Sequence, residues 1–343
     1  MNMKTEVLLP TKENINKTGH LLRTGELAAI PTETVYGLAA NALDGSAVKR
    51  IFEAKGRPMD NPLIIHISDF EQIKKFNLVS EIPEKAYILS ESFWPGPLTI
   101  IMPKGRAVPN EVSAGLDTVA VRFPQHPVAQ AVIESADRPL AAPSANTSGS
   151  PSPTTSSHVL HDLNGKIPVI LDGGVCEVGV ESTVITLAAE VPVLLRPGGI
   201  TLEQLRSAIG EVRVDDAVLN KLAEGKKAAS PGMKYKHYAP KANLVLIKSS
   251  DDKYIEYINT RSGENVGALC YDDDVKKLNV RCFPYGKKGA YAQQANRLFD
   301  ALRAIDETAI KTVYGRCPDT QGMALAVYNR LIRAAGFEVI ELA

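Results

Sequence analysis

Two cations flank a glycine at Lys55-Gly56-Arg57, and Pro58, Asn61 and Pro62 follow closely. Gly56 permits backbone angles closed to other residues, and the prolines stiffen the exit. A rigid turn holding two cations suits an anion, because donors already in order lose little entropy on binding. The same residues also read as a surface turn with a solvated Lys and Arg. The segment alone does not choose.

Other residues fit for chemistry are scattered along the chain. Thr32, Glu33 and Thr34 put two hydroxyls and a carboxylate at a strand end, where ligands often sit in α/β sheets; they also suit a polar turn capping a helix. His66 closes an apolar strand, where a histidine is more often a satisfied core residue than a ligand. Arg122 stands inside a short apolar stretch after Asp117 and Thr118. A buried arginine needs a partner, either a structural carboxylate or a bound one. Leu140 to Gly149 runs from a strand through Ala142 into a hydroxyl-rich loop with Ser144 and Asn146, continued by Ser152 and Thr154. That loop reads as neutral donors for phosphate oxygens or as a flexible linker. Ser182-Thr183 enters one more strand, and Arg196 ends another before a glycine turn.

These residues need elements to hold them. Val48, Ile51 and Phe52 recur at helical spacing behind Ser46 as a cap. Strands are expected at Glu26–Ile30, Leu63–Ile67, Leu98–Met102, Val169–Leu171 and Val193–Leu195. Helices are expected after Pro83, near Thr155–Leu163 and at Leu202–Ile209. A break falls near 210–242. Beyond it, strands at Leu244–Ile247, Val266–Leu269, Ile310–Tyr314 and Phe337–Ile340 alternate with helices at Lys253–Arg261, Tyr291–Ala304 and Thr320–Ala335. Such alternation predicts a small α/β domain with a largely parallel sheet. It carries no GxGxxG and no Walker-type loop, so Rossmann-like describes topology only.

Bulk properties agree with two α/β units. The 343 residues are long for one domain and comfortable for two. With 44% hydrophobic and 23% charged residues the composition is that of a globular protein. Net charge is zero, so no global basic field advertises nucleic acid. Residues 1–208 hold 18 Lys and Arg against 22 Asp and Glu, so cations gathered there are a local feature. Cys176, Cys270, Cys282 and Cys317 form no CxxC pair, which points to reduced thiols rather than a zinc site or disulfides. Met1 to Asn16 lacks the apolar core of a signal peptide, and no run approaches a membrane span. A cytoplasmic location without membrane contact is expected.

In order along the chain, Pro31-Thr32-Glu33-Thr34-Val35-Tyr36-Gly37-Leu38, Lys55-Gly56-Arg57-Pro58, Pro62-Leu63, Trp94-Pro95-Gly96-Pro97-Leu98-Thr99, Pro143-Ser144-Ala145-Asn146 and Ser182-Thr183 together resemble the YrdC-type threonylcarbamoyl-AMP synthases. The Ser230 to Pro240 stretch and the trailing α/β part resemble the longer, two-domain branch. The resemblance implies a catalytic domain over 1–209, a twisted open sheet with helices around a deep cationic cavity. A linker acting as active-site lid would follow at 210–242, and a Rossmann-like domain at 243–343. It implies a nucleotidyltransferase that makes L-threonylcarbamoyl-adenylate and pyrophosphate from L-threonine, bicarbonate or CO2, and ATP. A separate transferase would pass the product to adenosine 37 of tRNAs reading ANN codons, and the fold's concave face allows a weak tRNA contact. By similarity Lys55 and Arg57 are catalytic and serve the phosphates. Asn61, Thr118, Ser144, Asn146, Ser152, Arg196 and Tyr235 match other nucleotide-contacting positions. Thr34, His66, Arg122, Ala142 and Ser182 match the threonine pocket, with Arg122 gripping the amino-acid carboxylate bidentately. Mg2+ is expected with ATP, held mainly by phosphates, because no clustered carboxylates form a dedicated site. Two other classes compete. An RNA binder is disfavoured by zero net charge. A carbamoyl-transfer module of the hydrogenase-maturation type would carry zinc-finger cysteines and an acylphosphatase segment, which this chain lacks.

Overall fold

The computed structural model describes residues 4–221, 238–261, 263 and 265–342. An eleven-stranded mixed sheet organises the first part. Its order is Glu6–Leu8, Val169–Leu171, Ala28–Ile30, Gly37–Asn41, Leu140–Ala141, Ile64–His66, Thr118–Arg122, Leu98–Pro103, Thr183–Thr186, Val193–Arg196 and Arg213–Val214. The last strand lies inside the stretch expected as linker, so that stretch first contributes an edge to this sheet. Helices Lys12–Arg23 and Pro127–Ala136 cover one apolar cluster around Leu22, Ile30, Val132 and Leu171. A larger cluster around Leu38, Ile51, Leu63, Ile100 and Leu205 draws in helices Gly45–Lys55, Glu84–Phe93 and Leu202–Ile209.

The helix Gly45–Lys55 shows why a lysine ends up buried. Asp44, not Ser46, is its cap: the Asp44 carboxylate accepts from the Ser46 and Ala47 amides, at 2.9 and 3.2 Å. A carboxylate before the first turn competes well there, because it also meets the helix dipole. The inward stripe is Ala47, Val48, Ile51, Phe52 and then Lys55. Gly56 adopts φ +62°, and the amides of Gly56 and Arg57 donate back to Glu53 and Phe52. This left-handed turn ends the helix and sends Arg57 toward the same interior.

The second part is a five-stranded sheet, all parallel, in the order Arg281–Pro284, Val266–Cys270, Thr312–Arg316, Asn243–Lys248, Val339–Glu341. The strand Arg281–Pro284 is not evident from periodicity, since Arg, Cys, Phe and Pro offer little alternation. Helix Tyr291–Asp306 buries Ala295, Leu298, Phe299, Leu302 and Ile305, the stripe visible in sequence. The last long helix runs Ala324–Ala334, starting later than Thr320. The two parts share a seam: Val35 and Val180 of the first belong to the second's apolar cluster, with Leu298, Phe299 and Val327. Gly179 is required there, because a side-chain carbon on it would lie 2.3 Å from Asn296 Cα.

Candidate active site

The sheet itself gathers the polar residues. Ile64–His66 and Thr118–Arg122 are parallel neighbours whose register sets His66 beside Arg122. Antiparallel Leu98–Pro103 sets Thr99 against Arg122 on the other side. Their ends meet the turns after Ala28–Ile30 and Leu140–Ala141. A cavity opens at this junction, walled by side chains from several strands and turns. Thr34, Lys55, Arg57, His66, Arg122, Ala142, Ser144, Asn146, Ser182 and Arg196 all line it. These positions come from distant parts of the chain.

Three of the sequence-assigned residues lie elsewhere. Thr118 sits at the far end of Arg122's own strand, in a small separate hollow with Pro62 and Leu116; four residues of strand separate them by about 13 Å. Asn61 and Ser152 are buried beside the cavity without lining it. Tyr235 lies outside the described residues.

The cations are dry and crowded. Lys55 is 3% exposed. Its ammonium donates to the carbonyl oxygens of Ser144 and Asn146, the latter at 2.6 Å. Burial, then the charge of Arg57, hold its pKa well below the ordinary lysine value. Lys55 therefore shapes the Ser144–Asn146 loop as well as adding charge, and the Ser148 amide donates to its carbonyl at 2.9 Å. The loop is thus ordered rather than a linker: Ser144 Oγ donates to Asn146 Oδ1 at 2.6 Å, and Asn146 Nδ2 donates to Thr147 and Ser150 carbonyls. Arg57 and Arg196 are each pushed down to about 10, first by burial. Arg57 is also depressed by Arg196, and Arg196 by Arg330 and Arg122. Like charges this close in a dry site are relieved by a bound polyanion.

Several donors and acceptors are left without a hydrogen-bond partner among the described residues: Arg57 Nε, Asn61 Oδ1, Arg122 Nη2 and both Glu33 carboxylate oxygens. Arg122 and Glu33 approach to 2.7 Å, each about 4% exposed, at an angle that makes an ion pair but no hydrogen bond. Of the two partners open to Arg122, the chain therefore supplies a carboxylate itself. Arg122 Nη1 also donates to Thr34 Oγ1 at 2.9 Å and Nε to the Gly96 carbonyl at 3.4 Å. A bidentate grip on a substrate carboxylate must share those groups. Native interiors leave few buried polar groups without hydrogen bonds, and a bound ligand is one way to answer those that gather in a cavity.

His66 is pushed down to about 3 by burial and by Arg122. It is neutral at physiological pH. Its Nδ1 lies 3.2 Å from the Ile64 carbonyl, which can only accept, so Nδ1 carries the proton and Nε2 remains an acceptor. Ser182 Oγ shares a 2.8 Å hydrogen bond with Thr99 Oγ1 and accepts from Arg196 Nη2 at 3.1 Å.

Sequence reasoning gave no role to Glu181 or Tyr238, and it put Glu33 at a strand end suited to ligands without finding its partner. Glu181 lines the cavity, accepts from Ser152 Oγ and pairs with Arg330 Nε at 2.9 Å. Burial alone would raise its pKa, but Arg330 and Arg196 outweigh that and keep the carboxyl low. Tyr238 lines the cavity near Arg330. The signal for Glu181 was its place just before Ser182; its partner is 149 residues away.

Comparison with known proteins agrees with this architecture. A family model named Sua5_yciO_yrdC, described as telomere recombination, matches residues 20–198. A second, the threonylcarbamoyl-AMP synthase C-terminal domain, matches residues 200–336. The chain belongs to the Sua5/YciO/YrdC family. It is similar over nearly its whole length to the threonylcarbamoyl-AMP synthase of Pyrococcus abyssi, 49% identical with 94% of each chain covered. The Bacillus subtilis threonylcarbamoyl-AMP synthase is 46% identical, covering 98% of this chain and 97% of that one. The crystal structure of P. abyssi Sua5 complexed with L-threonine superposes with a TM-score of 0.90, 46% identity and full coverage of both chains. No helix of the described residues is long and apolar enough to cross a membrane.

Proposed function

We infer that this chain is the nucleotidyltransferase that makes L-threonylcarbamoyl-adenylate from L-threonine, bicarbonate or CO2, and ATP, releasing pyrophosphate. That is the first step toward N6-threonylcarbamoyladenosine at position 37 of tRNAs reading ANN codons. The observation that carries the reading is the convergence of Lys55, Arg57, Arg122 and Arg196 in one buried cavity where several charged atoms lack hydrogen-bond partners.

The chemistry accounts for these residue types. The threonine amine adds to CO2, forming an N–C bond and losing a proton, to give a carbamate. A carbamate oxygen then bonds the α-phosphorus as the bond to pyrophosphate breaks. An anion attacking a polyanion needs cations fixed where charge develops. Arg57 and Arg196 meet the phosphates, and Lys55 holds the Ser144–Asn146 loop while adding its own charge. A zwitterionic amino acid fits the Arg122–Glu33 pair, with its carboxylate toward Arg122 and its ammonium toward the unmatched Glu33 oxygens. Neutral His66 offers an acceptor beside them.

Glu33 and Glu181 are each engaged by an arginine. No group of three His, Cys, Asp or Glu side chains among the described residues is arranged to hold a metal. We therefore treat Mg2+ as travelling with the ATP phosphates as part of the substrate. The assignment of 210–242 as a lid, with Tyr235 on the nucleotide, rests on the family resemblance; buried Tyr238 at the cavity wall supports it. The product's hand-over to a separate tRNA threonylcarbamoyltransferase, a weak tRNA contact and a cytoplasmic setting belong to the same proposal.

The test is pyrophosphate release from ATP with threonine plus bicarbonate, compared with serine, with carbamoyl phosphate and with RNA alone. Release that requires both threonine and bicarbonate is the expected result. Release driven by carbamoyl phosphate, or RNA binding without turnover, would overturn the reading.

A further inference from the structure

Two arginines of the C-terminal part reach across the seam to the segments that wall the cavity. Arg303, on helix Tyr291–Asp306, donates from Nη1 and Nη2 to the two Asp162 oxygens at 3.0 Å each. Its Nη2 also donates to the Pro151 carbonyl at 2.6 Å. Asp162 in turn accepts from the Thr147 amide at 3.1 Å. Arg330, on helix Ala324–Ala334, is fully buried. It donates from Nε to Glu181 Oε2 at 2.9 Å, from Nη1 to the Pro197 carbonyl at 2.6 Å, and from Nη2 to the Glu181 carbonyl at 3.0 Å. Glu181 accepts from Ser152 Oγ and precedes Ser182, while Pro197 follows Arg196.

The cavity loop is therefore pinned at three points by the other part of the chain: Thr147 through Asp162, Pro151 directly, and Ser152 through Glu181. Between them Ser148, Gly149 and Ser150 line the cavity. The opposite wall, Ser182 with Arg196, is held by the same Arg330. Neither arginine lines the cavity itself. Loops move more than the elements they join, and a reacting geometry tolerates only about 0.5 Å of error. Other seam contacts differ: Asn296 and Asn329 donate to the Cys176, Glu177 and Val218 carbonyls, none of which lines the cavity.

We propose that Arg303 and Arg330 are positioning residues for the adenylation reaction, Arg303 fixing the Ser144–Ser150 phosphate loop through Asp162 and Arg330 fixing the Ser182–Arg196 wall through Glu181. The C-terminal part is then a working wall of the active site. This rests on reading the cavity as the synthase site.

The test uses the full chain with Arg303→Met, Arg330→Lys and, as a seam control, Asn296→Ala. For each, circular dichroism, pyrophosphate-release kinetics and hydrogen exchange of the 144–152 segment are measured. Arg303→Met is expected to raise KM for ATP about tenfold, leave KM for threonine within about twofold, and speed exchange at the Thr147 amide. Arg330→Lys is expected to lower kcat/KM for both substrates about 10- to 100-fold. Asn296→Ala is expected to weaken the seam and leave both KM values unchanged. Folded Arg303→Met and Arg330→Lys enzymes with ordinary KM, kcat and loop exchange would overturn the proposal, as would an Asn296→Ala enzyme with the same kinetic defects. If Arg330→Lys does not fold, Arg303→Met and Asp162→Asn decide by the same readouts. If the unaltered chain shows no threonine- and bicarbonate-dependent release, the synthase reading fails, and exchange at Thr147 still reports the pinning.

Discussion

Both parts of this chain bury arginines, on opposite terms. In the C-terminal sheet Arg316 donates from Nε and Nη2 to the two Asp274 oxygens, at 2.9 and 2.8 Å, and from Nη1 to Asp251 at 3.0 Å. Its guanidinium also lies 3.9 Å from the Tyr254 ring centre. None of its nitrogens is left over. In the N-terminal cavity Arg57 Nε, Arg122 Nη2 and both Glu33 oxygens lack hydrogen-bond partners among the described residues, although Arg122 and Glu33 pair as ions at 2.7 Å. A buried cation answered by its own chain is structural, because each of its nitrogens already has an acceptor. One that is only partly answered has bonding capacity to offer a ligand. Burial and residue type are the same at Arg316 and in the cavity; what separates these two sites is whether every guanidinium nitrogen has an acceptor.

The contrast can be broken by experiment. Arg316→Met leaves Asp274 buried and uncompensated, so it is expected to cost about 3–5 kcal/mol in denaturant unfolding. The folded fraction should keep ordinary KM for threonine and ATP; a kinetic defect in it would erase the distinction. Arg57→Ala is the opposite case. We expect pyrophosphate release to fall roughly 10²–10³-fold, with a thermal midpoint unchanged or raised, since a crowded cation has gone. Near-normal release would remove Arg57 from the phosphate site. The third test concerns His66, whose effect is spread over several pH units. Between pH 6.5 and about 3 the unfolded histidine binds a proton that the folded one refuses. Stability should therefore fall with pH across that window, by about 1.4 kcal/mol per unit from this group. His66→Gln should remove that share of the slope in urea titrations at stepped pH, and an unaltered slope would contradict a neutral His66.

Much of the frame was legible because periodicity is local. Val169–Leu171 and Leu202–Ile209 have the bounds expected from sequence, and the stripe on Tyr291–Asp306 is the one visible there. Arg122 inside an apolar strand announced a buried partner, yet nothing local said that Glu33 would be it. Lys55 could be placed on the inward stripe of its helix by spacing, although a lysine beside a glycine turn also looks solvated. Thr118 was assigned by likeness of position alone, and no local pattern showed that it would stand at the opposite end of Arg122's strand, in a separate hollow. Glu181 and Asp162 were opaque, because their meaning comes from arginines on helices that sequence places far away.

That distance has a consequence in time. Arg330 is made 149 residues after the glutamate it answers. At about 5–20 residues per second on the ribosome, Glu181 waits roughly 10–30 s for its partner. Val35 and Val180 meanwhile lack the apolar surface that later covers them. With Arg330 as the positioning residue proposed above, a nascent chain that has finished its larger sheet still lacks one support of its cavity until helix Ala324–Ala334 emerges.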